Sequence, residues 1–138
     1  MSEPVSHPVD LGFSVADGEK IELSYDNQVL RVSFVDWQEK RIVFLCRDTI
    51  AFRWQEAEYL LSSDERDDSS YEIIESTWLQ QHHEQGMTWE GTTFHHYKLN
   101  FNVAGILEMI CSRIERSAEP SASGNRRPAP RHLAFSVI

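Results

Sequence analysis

Long apolar runs are missing from this 138-residue chain. No segment approaches the roughly 20 residues that cross a bilayer as a helix, so no membrane partner is expected. Cysteine occurs only twice, too sparsely for a disulfide framework. Cys46 and Cys111 each sit in an apolar run and read as reduced core thiols of a cytoplasmic protein. The first fifteen residues carry Pro, Asp and Glu instead of the basic start and apolar stretch of a secretory signal. Cations are scarce as well: 13 Lys and Arg face 22 Asp and Glu, a net charge of -9, which argues against binding a phosphate backbone. The sequence also lacks a Gly-x-Ser-x-Gly elbow, a phosphate-binding Gly-rich loop, a Cys-x-x-Cys pair and a His-Glu-x-x-His helix. Its composition therefore points to no ordinary enzyme and implies no cofactor.

What is present suits one soluble domain. A hydrophobic share of 41% and a charged share of 25% are ordinary for a globular protein, and the length allows a single core. Residues 1–17, with two prolines and little periodicity, read as a lead-in arm; 18–116 read as the domain and 117–138 as a flexible tail rich in Ser, Pro, Ala and Arg. The last residues, 133–138, are apolar enough to dock. Ile21, Leu23 and Tyr25 alternate with polar residues as in a half-buried strand, Asp26-Asn27-Gln28 supplies a turn, and a second strand follows to a hairpin at Gln38-Glu39-Lys40. The segment 41–54 is too long for one straight strand, which predicts a bend near Arg47-Asp48. A helical turn is expected at 56–61, an exposed loop at 62–70, a helix over 71–85 capped by Ser69 or Ser70 and stopped at Gly86, and a strand within 92–101. For 103–116 a helical stripe through Val103, Ile106, Leu107, Ile110, Cys111 and Ile114 competes with a two-residue alternation and explains more of the apolar positions. The fold class expected is α+β: an antiparallel meander sheet of four to six strands with one or two helices on one face.

The strongest local signal is a run from Glu56 to Glu75 that holds eight carboxylates against one cation, Arg66. Carboxylates attract a basic protein partner, and neighbouring aromatics supply anchoring area. The candidate partner-binding residues are accordingly Asp64, Glu65, Asp67, Asp68 and Glu72 for steering, with Trp54 and Tyr71 as anchors. A charge run is also the ordinary make-up of a solvated face. Trp37, Trp54, Trp78 and Trp89 read chiefly as core or core-edge residues, with Trp54 set apart by its polar flanks. His82, His83, His95 and His96 do not suggest a metal site, because adjacent histidines aim about 100° apart on a helix and to opposite faces on a strand.

The stretches Phe34-Val-Asp-Trp-Gln-Glu-Lys through Ala51-Phe-Arg-Trp, and His96-Tyr-Lys-Leu-Asn-Phe-Asn through Gly105-Ile-Leu-Glu, resemble small uncharacterised bacterial proteins. Some of these are similar to the immunity proteins of toxin systems. That resemblance implies a binding protein and names no partner; with the acidic run it gives the expected function, a non-catalytic intracellular protein-binding module, an immunity protein or inhibitor that masks a basic surface. The alternative is a small enzyme or ligand-binding domain with a pocket lined by His and Glu, using His95 or His96.

Overall fold

A computed structural model describes residues 3–56, 61–62, 64–117 and, as backbone alone, 133–137. The tail expected from 117 onward falls almost wholly outside these residues, as does most of the helical turn expected at 56–61. Ten strands and one helix follow in the order β1 Val5–Pro8, β2 Glu19–Asp26, β3 Val29–Val35, β4 Arg41–Arg47, β5 Ala51–Gln55, β6 Ser70–Ile74, α1 Thr77–Glu84, β7 His95–Phe101, β8 Gly105–Cys111, β9 Arg113–Arg116 and β10 Leu133–Val137. They form two antiparallel five-stranded sheets, β1-β6-β7-β8-β5 and β10-β2-β3-β4-β9. The class is therefore α+β, weighted towards β, with strands spread over two sheets instead of one.

Local chemistry accounts for the hairpins. Asn27 and Gln28 both adopt positive φ, 54° and 64°, which turns β2 tightly into β3. In the β3–β4 loop the Asp36 carboxylate accepts from the N–H groups of Gln38 and Lys40, closing five residues into a fixed cap. The bend expected near Arg47-Asp48 is present and shared by two strand paths. Asp48 takes φ 54°, while Ser112 donates its N–H to the Arg47 carbonyl at 2.8 Å and its hydroxyl to the Asp48 carboxylate at 2.8 Å. Thus β4 passes into β5 and β8 into β9 at one corner, where the pair crosses from one sheet to the other.

Between the sheets lies a core built from Ile21, Leu23, Leu30, Val32, Phe34, Ile42, Phe44 and Cys46 on one side and Leu99, Phe101, Leu107, Met109 and Cys111 on the other. Phe34 meets Phe101 edge-on at 5.1 Å, and Phe13 stacks on Phe44 at 4.5 Å. Both cysteines are buried and free, and burial pushes the Cys46 thiol well up. The lead-in residues are part of this body: Val5–Pro8 pairs with β6 and Val15 is buried. Leu133–Val137 docks along β2 as an edge strand, in register from Leu133 opposite Tyr25 to Val137 opposite Ile21.

Three expectations change. The stretch 105–111 is a strand, not a helix; it lies in the middle of its sheet and is covered on both faces, so its apolar run carries no clean period. Tyr71–Ile74 is also a strand, and the helix begins only after Glu75, whose φ of 59° breaks the path; Ser76 is the N-cap, its hydroxyl oxygen accepting from Leu79 N at 3.0 Å. Gly86, at φ 77°, ends the helix as expected. Trp37 and Trp89 are not core residues, being 58% and 39% exposed.

Gly105 marks the tightest approach, since an added Cβ would stand 2.6 Å from the Gln55 carbonyl and 2.6 Å from the Trp54 ring. Gly105→Ala should lower the unfolding free energy by about 1–3 kcal/mol, the usual range for overpacking, as read from urea denaturation. An unchanged midpoint would show that β5 yields freely at this position.

Candidate partner-binding surface

Strand alternation sends His95, Tyr97, Leu99 and Phe101 towards one face of β7 and His96, Lys98 and Asn100 towards the other. Of the first set, Tyr97, Leu99 and Phe101 meet the intersheet core, while His95 lies at its rim beside Glu72. The second lies on the outer face, yet all three of its residues are buried, because α1 and the segment around Ser62–Asp68 lie over them. Polar groups buried in this way require partners. The covering segments supply most of them, leaving Asn100 Oδ1 without one.

Under α1, Ser76 Oγ lies 2.6 Å from His96 Nδ1, His96 Nε2 lies 2.7 Å from the Glu108 carboxylate, and Arg53 donates to both Glu108 oxygens at 3.2 Å. The Arg53 guanidinium sits 4.0 Å from the centre of the Trp78 ring, which meets His96 edge-on at 5.0 Å. Burial alone would raise the Glu108 carboxyl, but hydrogen bonds and charge from His96 and Arg53 outweigh it and hold the group at about 2. On the same face the Lys98 ammonium lies 3.0 Å from Glu65, whose side chain is 1% exposed. Glu65 also accepts from Ser6, from Ser62 at 2.7 Å and from Asn100 at 3.1 Å. Burial opposes its ionisation, and these donors lower its pKa nonetheless.

The acidic run is therefore divided. Glu65 faces inward as the counter-charge of Lys98, and Tyr71 is buried with its hydroxyl oxygen accepting from Arg66 N at 2.6 Å. Glu72 faces the His95 ring at 2.6 Å, and Asp68 pairs with Arg66 at 3.2 Å. Trp54 is half-buried against Phe101 and Gly105. Asp64, Asp67 and Glu56 remain exposed, with no ion-pair partner among the described residues. Glu58 and Tyr59 lie outside those residues. Of the seven candidate residues, the fold presents Asp64 and Asp67 to solvent and uses Glu65 and Tyr71 as internal ties.

Two hollows accompany this surface. One, of about 60 Å³, is lined by Glu56, Leu61, Asp67, Asn100, Val103 and Ile106 among others. The other is a broad groove of about 390 Å³ beside α1, with Leu79, His83, Trp89 and Phe94 in its walls. Sequence reasoning missed Lys98 and Asn100, although two polar residues at alternate positions in an apolar strand were a visible signal. The four histidines stay apart in function: His95 and His96 face opposite sides, and His83 bonds Thr88 at 2.7 Å. Among the described residues no group of three or more His, Cys, Asp or Glu is placed to hold a metal ion, and no helix is long and apolar enough to cross a membrane. No protein-family model, curated protein or solved structure matches this chain.

Removing one partner of a buried ion pair leaves the other charge unpaired. Lys98→Met should thus cost about 3–5 kcal/mol, and the double variant with Glu65→Gln clearly less. Equal losses in the two would mean that water reaches Glu65. The depressed Glu108 carboxyl sets a pH window. Its folded value lies below its ordinary one, so its contribution, on the order of 3 kcal/mol, is complete above about pH 4.5 and is lost as pH falls through about 2. The stability gap between the native protein and Glu108→Gln should close across that range in acid denaturation series; a gap independent of pH would refute the assignment.

Proposed function

We propose that this chain is a non-catalytic protein-binding module of the cytoplasm that masks a basic surface of a partner protein, in the manner of an immunity protein or inhibitor. The observation that carries the reading is the rooted acidic loop. Glu65 ties it to Lys98 and Asn100 in the sheet, while the flanking Asp64 and Asp67 remain solvent-exposed and unpaired among the described residues. A loop held in place before contact loses little freedom on binding, which favours complex formation without added contact area. Its carboxylates steer a cationic partner and oppose nucleic acid. Two buried free thiols suit a reducing compartment. Asp64, Asp67 and Glu56 are the steering groups on this reading, with exposed apolar area at Val103 and the half-buried Leu61 beside them.

The Ser76–His96–Glu108 chain favours a second reading, because it has the order of nucleophile, base and orienting acid. Ser76 Oγ already accepts from Leu79 N, and none of the three residues lines either hollow. Labelling of Ser76 by a fluorophosphonate would turn the assignment to a hydrolase.

Affinity capture from the native host, followed by mass spectrometry, tests the leading reading directly. With the captured protein in hand, Asp64→Asn combined with Asp67→Asn should slow association roughly three- to tenfold at low salt and flatten its ionic-strength dependence. Dissociation should barely change. Association kinetics insensitive to both substitutions would reduce the loop to a solvated face.

A further inference from the structure

The broad groove beside α1 is lined by Leu79 and His83 from the helix and by Trp89, Glu90 and Phe94 from the segment that leads back to β7. The Trp89 and Phe94 rings stand perpendicular, at 89°, with centres 4.9 Å apart. Gly91, at φ 88°, turns the chain so that Thr92 meets the indole, whose Nε1–H donates to the threonine hydroxyl at 2.8 Å. The indole has spent its one donor, and Trp89, still 39% exposed, offers the groove only ring surface. Charge here has one sign. No Lys or Arg occurs between Arg66 and Lys98, a stretch that includes Glu75, Glu84 and Glu90. Among the described residues no Lys or Arg lines the groove, and Glu90 is exposed without an ion-pair partner.

We infer that this groove binds a quaternary ammonium group, of the kind that choline carries. The site lies apart from the acidic loop and uses none of the residues on which the partner-masking reading rests. Aromatic faces are negative, so two perpendicular rings beside a carboxylate draw a cation into their corner. The alkyl groups decide which cation. A bare ammonium needs acceptors for its N–H bonds and holds its water tightly, and walls of Leu79, Trp89 and Phe94 do not replace that water. A trimethylated nitrogen has no N–H to satisfy and spreads its charge over methyl groups that pack on the rings. An anion would meet the Glu90 carboxylate with no cation to offset it. Size agrees with a small ligand: about 390 Å³ falls within the roughly 300–1,000 Å³ of such sites, room for the head group and a short substituent.

The isolated protein serves for the test. Choline chloride, titrated at constant ionic strength and about pH 8, above the range in which imidazoles charge, should shift the Trp89 indole N–H and the backbone amides of Glu90 and Gly91 in ¹⁵N–¹H spectra. The shifts should saturate with a Kd on the order of millimolar. The neutral isostere dimethylbutanol, with carbon in place of the charged nitrogen, should bind roughly tenfold more weakly. Trp89→Leu should weaken choline binding roughly tenfold and Glu90→Gln about threefold, each leaving the rest of the spectrum native, since both side chains are exposed. Flotation with phosphatidylcholine vesicles locates the head group: co-flotation that choline displaces assigns a lipid, and binding of free choline alone assigns a soluble ligand. The inference is overturned if the alcohol binds as tightly as choline, if glucose binds more tightly than either, if both variants bind choline like the native protein, or if no saturation appears.

Discussion

The constraint on which the rest of this structure depends is the burial of charge on the outward face of a central strand pair. Lys98 and Glu108 stand opposite one another on β7 and β8, with His96 and Asn100 beside them, on a face that would be solvated in a simple sandwich. Covering that face protects the sheet but obliges the covers to supply partners for the charges and amide N–H groups beneath. The loop does so with Glu65 and the Arg66 carbonyl, and the helix with the Ser76 hydroxyl and the Trp78 ring. Loop and helix are consequently not appendages. Each is fixed by the polar group beneath it.

That constraint changes the meaning of the acidic run. A string of carboxylates ordinarily reads as one solvated or partner-seeking face, yet here the same string serves two opposed purposes. Glu65 is drawn in by Lys98, while its neighbours Asp64 and Asp67 are pushed outward by the geometry of the turn around it. The inward residue gives the outward ones a defined position. The buried pair that fixes the loop adds little net stability itself, since desolvation offsets much of the Coulomb attraction.

The opposite end of the molecule is organised by hydrogen bonds of a different kind. At the corner, Ser112 and Thr49 donate to the Arg47, Cys46 and Gln28 carbonyls, and the Ser112 hydroxyl also donates to the Asp48 carboxylate, so that two adjacent strand paths bend together. Bending as a pair keeps the ladder intact on both sides of the crossing. It also brings Cys46 and Cys111 into the same core from different sheets, where burial keeps the Cys46 thiol protonated and unreactive.

Several local features were legible in the sequence. The period of two in β2 and β3, the Asn27-Gln28 turn, the bend at Arg47-Asp48 and the stop at Gly86 all follow from bonds between near neighbours, which local residue types specify. The mainly antiparallel α+β class follows from the same signals. Residues whose state depends on distant cover were not legible. The segment 105–111 reads better as a helix than as the strand it is because both of its faces are buried, and burial on all sides erases the two-residue period. In the same way, composition alone identified Glu65, Tyr71, Asp64 and Asp67 as one acidic, aromatic cluster. Only tertiary structure decided which of them turn inward, because that choice depends on Lys98, thirty-three positions from Glu65, and a charge finds its partner in space and not along the chain.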